Sequence, residues 1–232
     1  ENAYLVKQRE EEWKENTMAD IIKMMTGLAD LVYFSARKLT SSRGGGICTN
    51  RQDYYKKMEP LIPLFEGFLT YGGMSIREIE AMAVGIYETI DETMISQSVN
   101  FIKYCVESAV KAGIPMVTPP GVLGAHVDAG TFCSHIPQHE YPAGALTAAF
   151  YLCSGVRGME RGTMSSVRDE LGNEILADVE LMRLAFPRRV FTLSQTKYVV
   201  DRLAWLYENR GLIGGLKFSY EPSVLRFFMG EL

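Results

Sequence analysis

Residues 1–15 are polar and helix-forming, and the apolar positions that follow change period. Thr17 stands ahead of Ile21, Ile22, Met25 and Leu28, a spacing that predicts a capped helix with one apolar face. Leu31–Ser35 is a short β-branched and aromatic run and predicts a buried strand. The Ser- and Gly-rich stretch 36–46 predicts a polar turn, with Ile47-Cys48-Thr49 as the return strand, closed by Asn50. Pro60 and Pro63 break the mixed region 52–71, and Gly72-Gly73 is a further break. Ser75-Ile76-Arg77-Glu78 has the form of a capping box and opens a predicted helix through Ile79, Met82, Ala83 and Ile86. A longer helix is predicted over roughly 93–112, stopped by Gly113 ahead of Pro115.

The second half alternates. Met116-Val117 and 125–129 predict strands around Pro119, Pro120 and Gly121. Pro142 opens a helix through Leu146, Ala149, Phe150 and Cys153, which Gly155 closes. Residues 156–161, 180–186 and 216–220 predict strands, and Ser194 caps a helix through Val199, Leu203 and Leu206. Interleaved strands and helices give an α/β class with layered packing, the long helix bridging two domains.

Composition narrows the function. The 232 residues carry a net charge of −4, with 47% hydrophobic and 22% charged residues. That length supports a sizeable core, and the acidic balance argues against nucleic acid as the main partner. No apolar run approaches the roughly 20 residues that span a bilayer. Cys48, Cys105, Cys133 and Cys153 are scattered, which indicates neither a zinc knuckle nor a disulfide framework, so a reducing cytoplasm is the default. The chain opens at Glu1 in helical style, which raises the expectation of a longer or split polypeptide.

Two residues stand out chemically. Lys38 closes the strand 31–35 beside Ser35, Ser41, Ser42 and Gly44 to Gly46. A lysine in partly apolar surroundings can form an imine with a carbonyl, and hydroxyls with glycine N–H groups can hold phosphate. Pyridoxal phosphate needs both at once. The same pattern also describes a solvated lysine on a hairpin turn. Arg183 lies inside the apolar run Leu181-Met182-Arg183-Leu184-Ala185, where its planar fork suits a carboxylate, either of a ligand or of a structural ion pair. Arg161, between Gly158 and Gly162, reads as a loop arginine near a close approach or as an exposed turn residue. His126, His135 and His139 have no metal-ligand spacing, because Pro137 breaks any helix shared by the last two. Phe227 and Phe228 read by themselves as core.

Several segments taken in order resemble one family. They are Glu1-Asn2-Ala3-Tyr4 with Lys7-Gln8-Arg9-Glu10, Ser35-Ala36-Arg37-Lys38, Thr70-Tyr71-Gly72-Gly73 and Glu80-Ala81-Met82-Ala83-Val84-Gly85. Further on come Met159-Glu160-Arg161-Gly162, Arg183-Leu184-Ala185-Phe186-Pro187-Arg188 and 220–228, from Tyr220-Glu221-Pro222 to Arg226-Phe227-Phe228. Along essentially the whole chain this set resembles the C-terminal half of the β-eliminating lyases, the family of tyrosine phenol-lyase and tryptophan indole-lyase.

The resemblance implies a fold-type I, aspartate aminotransferase-like pyridoxal phosphate enzyme. Residues 1–95 would be the C-terminal part of the large cofactor-binding domain, and 96–232 the small α+β domain. Lys38 matches the lysine that carries the cofactor, Ser35 the phosphate-contacting serine, and Arg37 replaces a lysine with its charge kept. Arg183 matches the clamp on the substrate α-carboxylate. Arg161 matches the arginine near the phenol ring. Phe227, with Phe228 beside it, falls where the tyrosine branch has phenylalanine and the tryptophan branch histidine. The implied reaction is β-elimination of L-tyrosine to phenol, pyruvate and ammonia, in a cytoplasmic dimer or tetramer. Two departures are visible. Leu123 takes the place of a family histidine, and Arg43 that of an asparagine on the loop that helps hold a monovalent cation. They leave open an altered reaction, such as reductive deamination of dihydroxyphenylalanine. The ring-nitrogen aspartate belongs to the N-terminal half, so a non-catalytic chain that needs a complementary half or second chain is the other reading.

Overall fold

Thr17 caps its helix by a reciprocal pair of bonds. The Asp20 N–H donates to the Thr17 hydroxyl at 3.2 Å, and the Thr17 N–H donates to the Asp20 carboxylate at 3.0 Å. In this computed structural model the described residues are 2–40, 42–187 and 189–232, so Glu1, Ser41 and Arg188, all named above, lie outside them. Two compact units are present, residues 1–96 and 97–232.

The first unit opens with helices α1 (Asn2–Arg9) and α2 (Met18–Gly27). Strand β1 (Leu31–Ser35) runs into a single helical turn, α3 (Ala36–Leu39), and returns antiparallel as β2 (Gly45–Thr49). Two expectations change here. Gly45 and Gly46 belong to the strand, paired with Ser35 and Phe34, so they do not form part of an anion-holding turn. The hairpin is also not buried, since Tyr33 is 78% exposed and Ile47 55%. The two strands pair only with each other, and both faces keep apolar side chains at least partly in solvent. Short helices α4 (Gln52–Met58) and α5 (Leu61–Phe65) follow, separated at Pro60, and then α6 (Ile76–Thr89). Pro63, expected as a break, lies instead in the first turn of α5, where its missing N–H is tolerated. Only half of the expected capping box forms. Ser75 accepts from the Glu78 N–H, but the Glu78 carboxylate reaches Ser42 and Arg43 instead.

Helix α7 (Glu92–Lys111) begins in the first unit, runs into the second and ends before Gly113, whose φ of +80° favours glycine. The second unit holds an antiparallel sheet of order β3 (Gly124–Asp128), β5 (Leu181–Ala185), β4 (Met159–Arg161). The expected strand Met116-Val117 is reduced to one antiparallel bridge, Met116 with Val127, and Val117 donates its N–H to the His126 carbonyl. After β3 comes the short turn α8 (Ala129–Phe132). Helix α9 (Pro142–Ser154) starts at the proline and ends at Gly155, as the sequence predicts. Helix α10 (Leu193–Glu208) is capped by Thr192 with Gln195, two residues before the expected Ser194. Residues 216–220 form no strand. Leu216 donates its N–H to the Glu140 carbonyl, and Tyr220 forms only an isolated antiparallel bridge with Glu231. A last turn, α11 (Arg226–Met229), follows. The core lies between one sheet face and the helices, where Val127, Met182, Phe132, Leu146, Phe150 and Leu203 are fully enclosed. No helix among the described residues is long and apolar enough to cross a membrane.

Candidate active site

The first unit fixes the backbone around Lys38 and leaves its side chain outside. Ala36 and Thr40, one turn apart, are buried, while Ser35, Arg37 and Lys38 are exposed. Gly85 makes the close approach possible. A Cβ there would stand 2.4 Å from the Thr40 carbonyl oxygen. Thr89 donates its hydroxyl to the Leu39 carbonyl at 2.7 Å, and Thr40 donates back to Ala36 at 3.0 Å. The loop beyond closes on Glu78, which accepts from the Ser42 hydroxyl at 2.9 Å and the Arg43 N–H at 3.1 Å. Those two donors hold the Glu78 carboxyl below its ordinary range.

This corrects two expectations. Lys38 does not sit in apolar surroundings within this chain, and the Ser42 and Arg43 donors already serve a carboxylate. What remains on the exposed side is compact. The Ser35 hydroxyl makes no capping bond, and Arg37 makes no ion pair or side-chain hydrogen bond among the described residues. Arg37, Ser42, Arg43 and Glu78 line an opening of about 520 Å³. An amine, a hydroxyl and a guanidinium thus project from four consecutive residues, a donor set that fits an aldehyde bearing a phosphate.

In the second unit alternation sorts the sheet by face. Ala125, Val127, Met182, Leu184 and Glu160 point into the core. The opposite face carries His126 and Asp128 on β3, Arg183 and Leu181 on β5, and Met159 and Arg161 on β4. In register, His126 and Met159 flank Arg183, while Asp128 and Arg161 flank Leu181. Arg183 is half-buried, less enclosed than its apolar run implies, and Arg161 is exposed. Neither guanidinium forms a hydrogen bond or ion pair among the described residues. Asp128, on the same face, accepts from Thr131 at 3.0 and 2.7 Å and makes no ion pair with either guanidinium. Val106, Val117, Pro119, Leu123, His126 and Arg183 border a cavity of about 320 Å³. Burial, and then the charges of Arg183 and Arg161, push the His126 imidazole below its ordinary value. A half-buried guanidinium at a cavity rim, with no carboxylate partner among the described residues, has the chemistry to hold an anion.

Phe227 is half-buried and Phe228 72% exposed, their rings edge to face at 5.0 Å, so neither is core. They are fastened by Arg226, which the sequence reading missed. Its guanidinium is 5% exposed, pairs with Glu174 and Glu221, and donates to the carbonyls of Ser166 and Thr163. Arg226 thereby ties the aromatic pair to the loop that follows Arg161. The signal was available, because Arg226 stands between apolar neighbours as Arg183 does. Glu160 and Glu180 were missed as well. Glu180 accepts from the Thr163 N–H at 2.7 Å and the Ala143 N–H at 3.3 Å. Glu160 is 4% exposed with Oε1 unpartnered. His135 bonds the Ile213 carbonyl at 2.8 Å, and no metal-binding cluster occurs among the described residues.

No family model matches the chain. Its sequence is 42% identical to a tyrosine phenol-lyase of Lacrimispora saccharolytica, over all of this chain and 50% of that protein. It is 42% identical to the tyrosine phenol-lyase of Pasteurella multocida, over 98% of this chain and 50% of the relative. A tryptophanase of Salinibacter ruber is 36% identical, over 100% and 50% respectively. The chain therefore spans about half the length of the curated relatives it matches. Among solved structures, one of SPT aligns with a TM-score of 0.56 at 12% identity, covering 81% of this chain and 45% of that one. A serine palmitoyltransferase from S. paucimobilis aligns at 0.52 and 11%, covering 81% and 42%. That likeness shows the fold, the aspartate aminotransferase-like fold-type I class. The ordered motifs and these relatives agree: over its whole length the chain is similar to one half of the tyrosine phenol-lyases and of a tryptophanase.

Proposed function

We propose that this chain serves pyridoxal phosphate-dependent β-elimination on an aromatic amino acid, converting L-tyrosine and one water to phenol, pyruvate and ammonia. The observation that carries this reading is Arg183, a half-buried guanidinium on a cavity rim with no carboxylate partner among the described residues. It binds the α-carboxylate through its fork and fixes the direction of the Cα–H bond. Lys38 supplies the amine that holds the cofactor aldehyde, and Ser35 and Arg37 the donors for its phosphate. When bound, pyridoxal phosphate acidifies the Cα–H bond by drawing its electrons into the ring. Lys38 Nζ would also be the base that takes the Cα proton. Arg161 holds the phenolic oxygen while the ring carbon is protonated, and Phe227 and Phe228 present an apolar wall to the ring.

A second reading is carried by the β1–β2 hairpin, whose exposed Tyr33 and Ile47 ask for a covering partner. In it the chain acts only with a complementary polypeptide that covers the hairpin and supplies the group facing the cofactor ring nitrogen. Borohydride reduction of the complete gene product with pyridoxal phosphate, followed by peptide mass spectrometry, tests the site. A label on Lys38 supports the reading, and a label elsewhere or none overturns it.

A further inference from the structure

His126 stands directly opposite Arg183 across the β3–β5 ladder, on the open face of the sheet. Opposed residues bring their Cβ atoms to about 5 Å. The ring lines the same cavity as Arg183, is half-buried, and makes no hydrogen bond among the described residues. The charged groups facing it are Arg183 on β5, Arg161 on β4 and, along its own strand, Asp128, whose carboxylate accepts from Thr131. A neutral imidazole keeps one N–H donor, and a carboxylate gripped by a guanidinium still has lone pairs to accept it.

We propose that His126 is a second recognition residue for the anionic end of the ligand, donating a hydrogen bond to the carboxylate that Arg183 holds. This rests on the reading of Arg183 as the carboxylate clamp. The site therefore takes a carboxylate flanked by a guanidinium and an imidazole, where an arginine alone would leave half of its lone pairs to water. Burial first, and then the two guanidinium charges, disfavour the imidazolium, and an anion bound there offsets those charges. Anion binding and His126 protonation then reinforce one another, and affinity rises as the pH falls through the imidazole range.

The test is calorimetric titration of the complete gene product with 3-(4-hydroxyphenyl)propanoate, which is tyrosine without its amino group, between pH 5.5 and 8. The native protein is expected to bind more tightly toward the acid end. His126→Phe is expected to bind about tenfold more weakly, with a flattened profile. His126→Gln keeps a donor, so it should hold most of the affinity at pH 8 and lose the pH dependence. Arg183→Leu should bind too weakly to measure. If both His126 variants match the native protein while Arg183→Leu loses binding, the role of His126 is overturned and the carboxylate clamp stands. If Arg183→Leu also matches the native protein, or the native protein does not bind, both are overturned.

Discussion

Arg226 and Glu174 form an ion pair that holds together the parts of the second unit that carry Arg161 and Phe227. The Arg226 guanidinium is 5% exposed and also donates to the Thr163 carbonyl at 2.8 Å, two residues beyond Arg161. A buried pair contributes little net stability over an apolar replacement, yet removing one partner strands a charge and several acceptors. Arg226→Met is expected to cost about 3–5 kcal/mol. The cost is read from the shift in the urea midpoint, with earlier proteolytic cutting of residues 218–232. Unchanged stability and cutting would show that other contacts hold this segment.

Gly85 is the contact on which the Lys38 turn rests. A valine there must displace the Thr40 carbonyl, which its Cβ would meet at 2.4 Å. Gly85→Val is expected to cost about 1–3 kcal/mol and to lower the yield of borohydride-trapped cofactor on Lys38. Normal trapping in a destabilised variant would separate the turn from the cofactor site.

Glu160 gives a pH dependence of defined sign. Burial, and then the nearby Glu180 charge, raise its carboxyl above the ordinary 4.5. Below that value the folded and unfolded forms are both protonated, and the stabilising effect is whole. As the pH rises past it the unfolded form ionises first, and the folded state loses stability until its own carboxyl ionises. Each unit of the rise is about 1.4 kcal/mol. Glu160→Gln should therefore match the native protein near pH 4 and exceed it in urea midpoint at pH 8. A gap that closes with rising pH would refute the assignment.

The exposed hairpin predicts a need for cover. Produced by itself, this chain is expected to bind a hydrophobic dye and to self-associate. A co-expressed polypeptide carrying the remaining length of the family should suppress both. Monomeric behaviour without dye binding would mean that Tyr33 and Ile47 need no partner.

Local punctuation was legible in the sequence. Pro142 and Gly155 bound α9 because one presets φ and the other accepts a φ of +70°. Gly113 worked through its φ of +80°, and Thr17 through its reciprocal bonds with Asp20. What failed depended on distant partners. Residues 216–220 have strand composition but form only the isolated bridge at Tyr220, and Leu31–Ser35 has a buried strand's composition without cover in this chain. In the candidate site, the Lys38 and Arg183 positions were legible from their neighbours and from the family resemblance. The loop after Lys38 was misjudged because Glu78, 36 residues from Ser42, takes its donors. His126 showed in the sequence only as a histidine without metal-ligand spacing, because only the register places it opposite Arg183.

The most direct test combines the complete gene product with pyridoxal phosphate and L-tyrosine, identifies the products by mass spectrometry, and repeats the assay with Arg183→Leu. Phenol and pyruvate in equal amounts are expected from the native protein. Replacing the clamp should raise KM by at least about tenfold, the loss of a charge-assisted hydrogen bond. A deaminated acid that retains its ring, no turnover despite a cofactor on Lys38, or full activity without Arg183 would contradict the account.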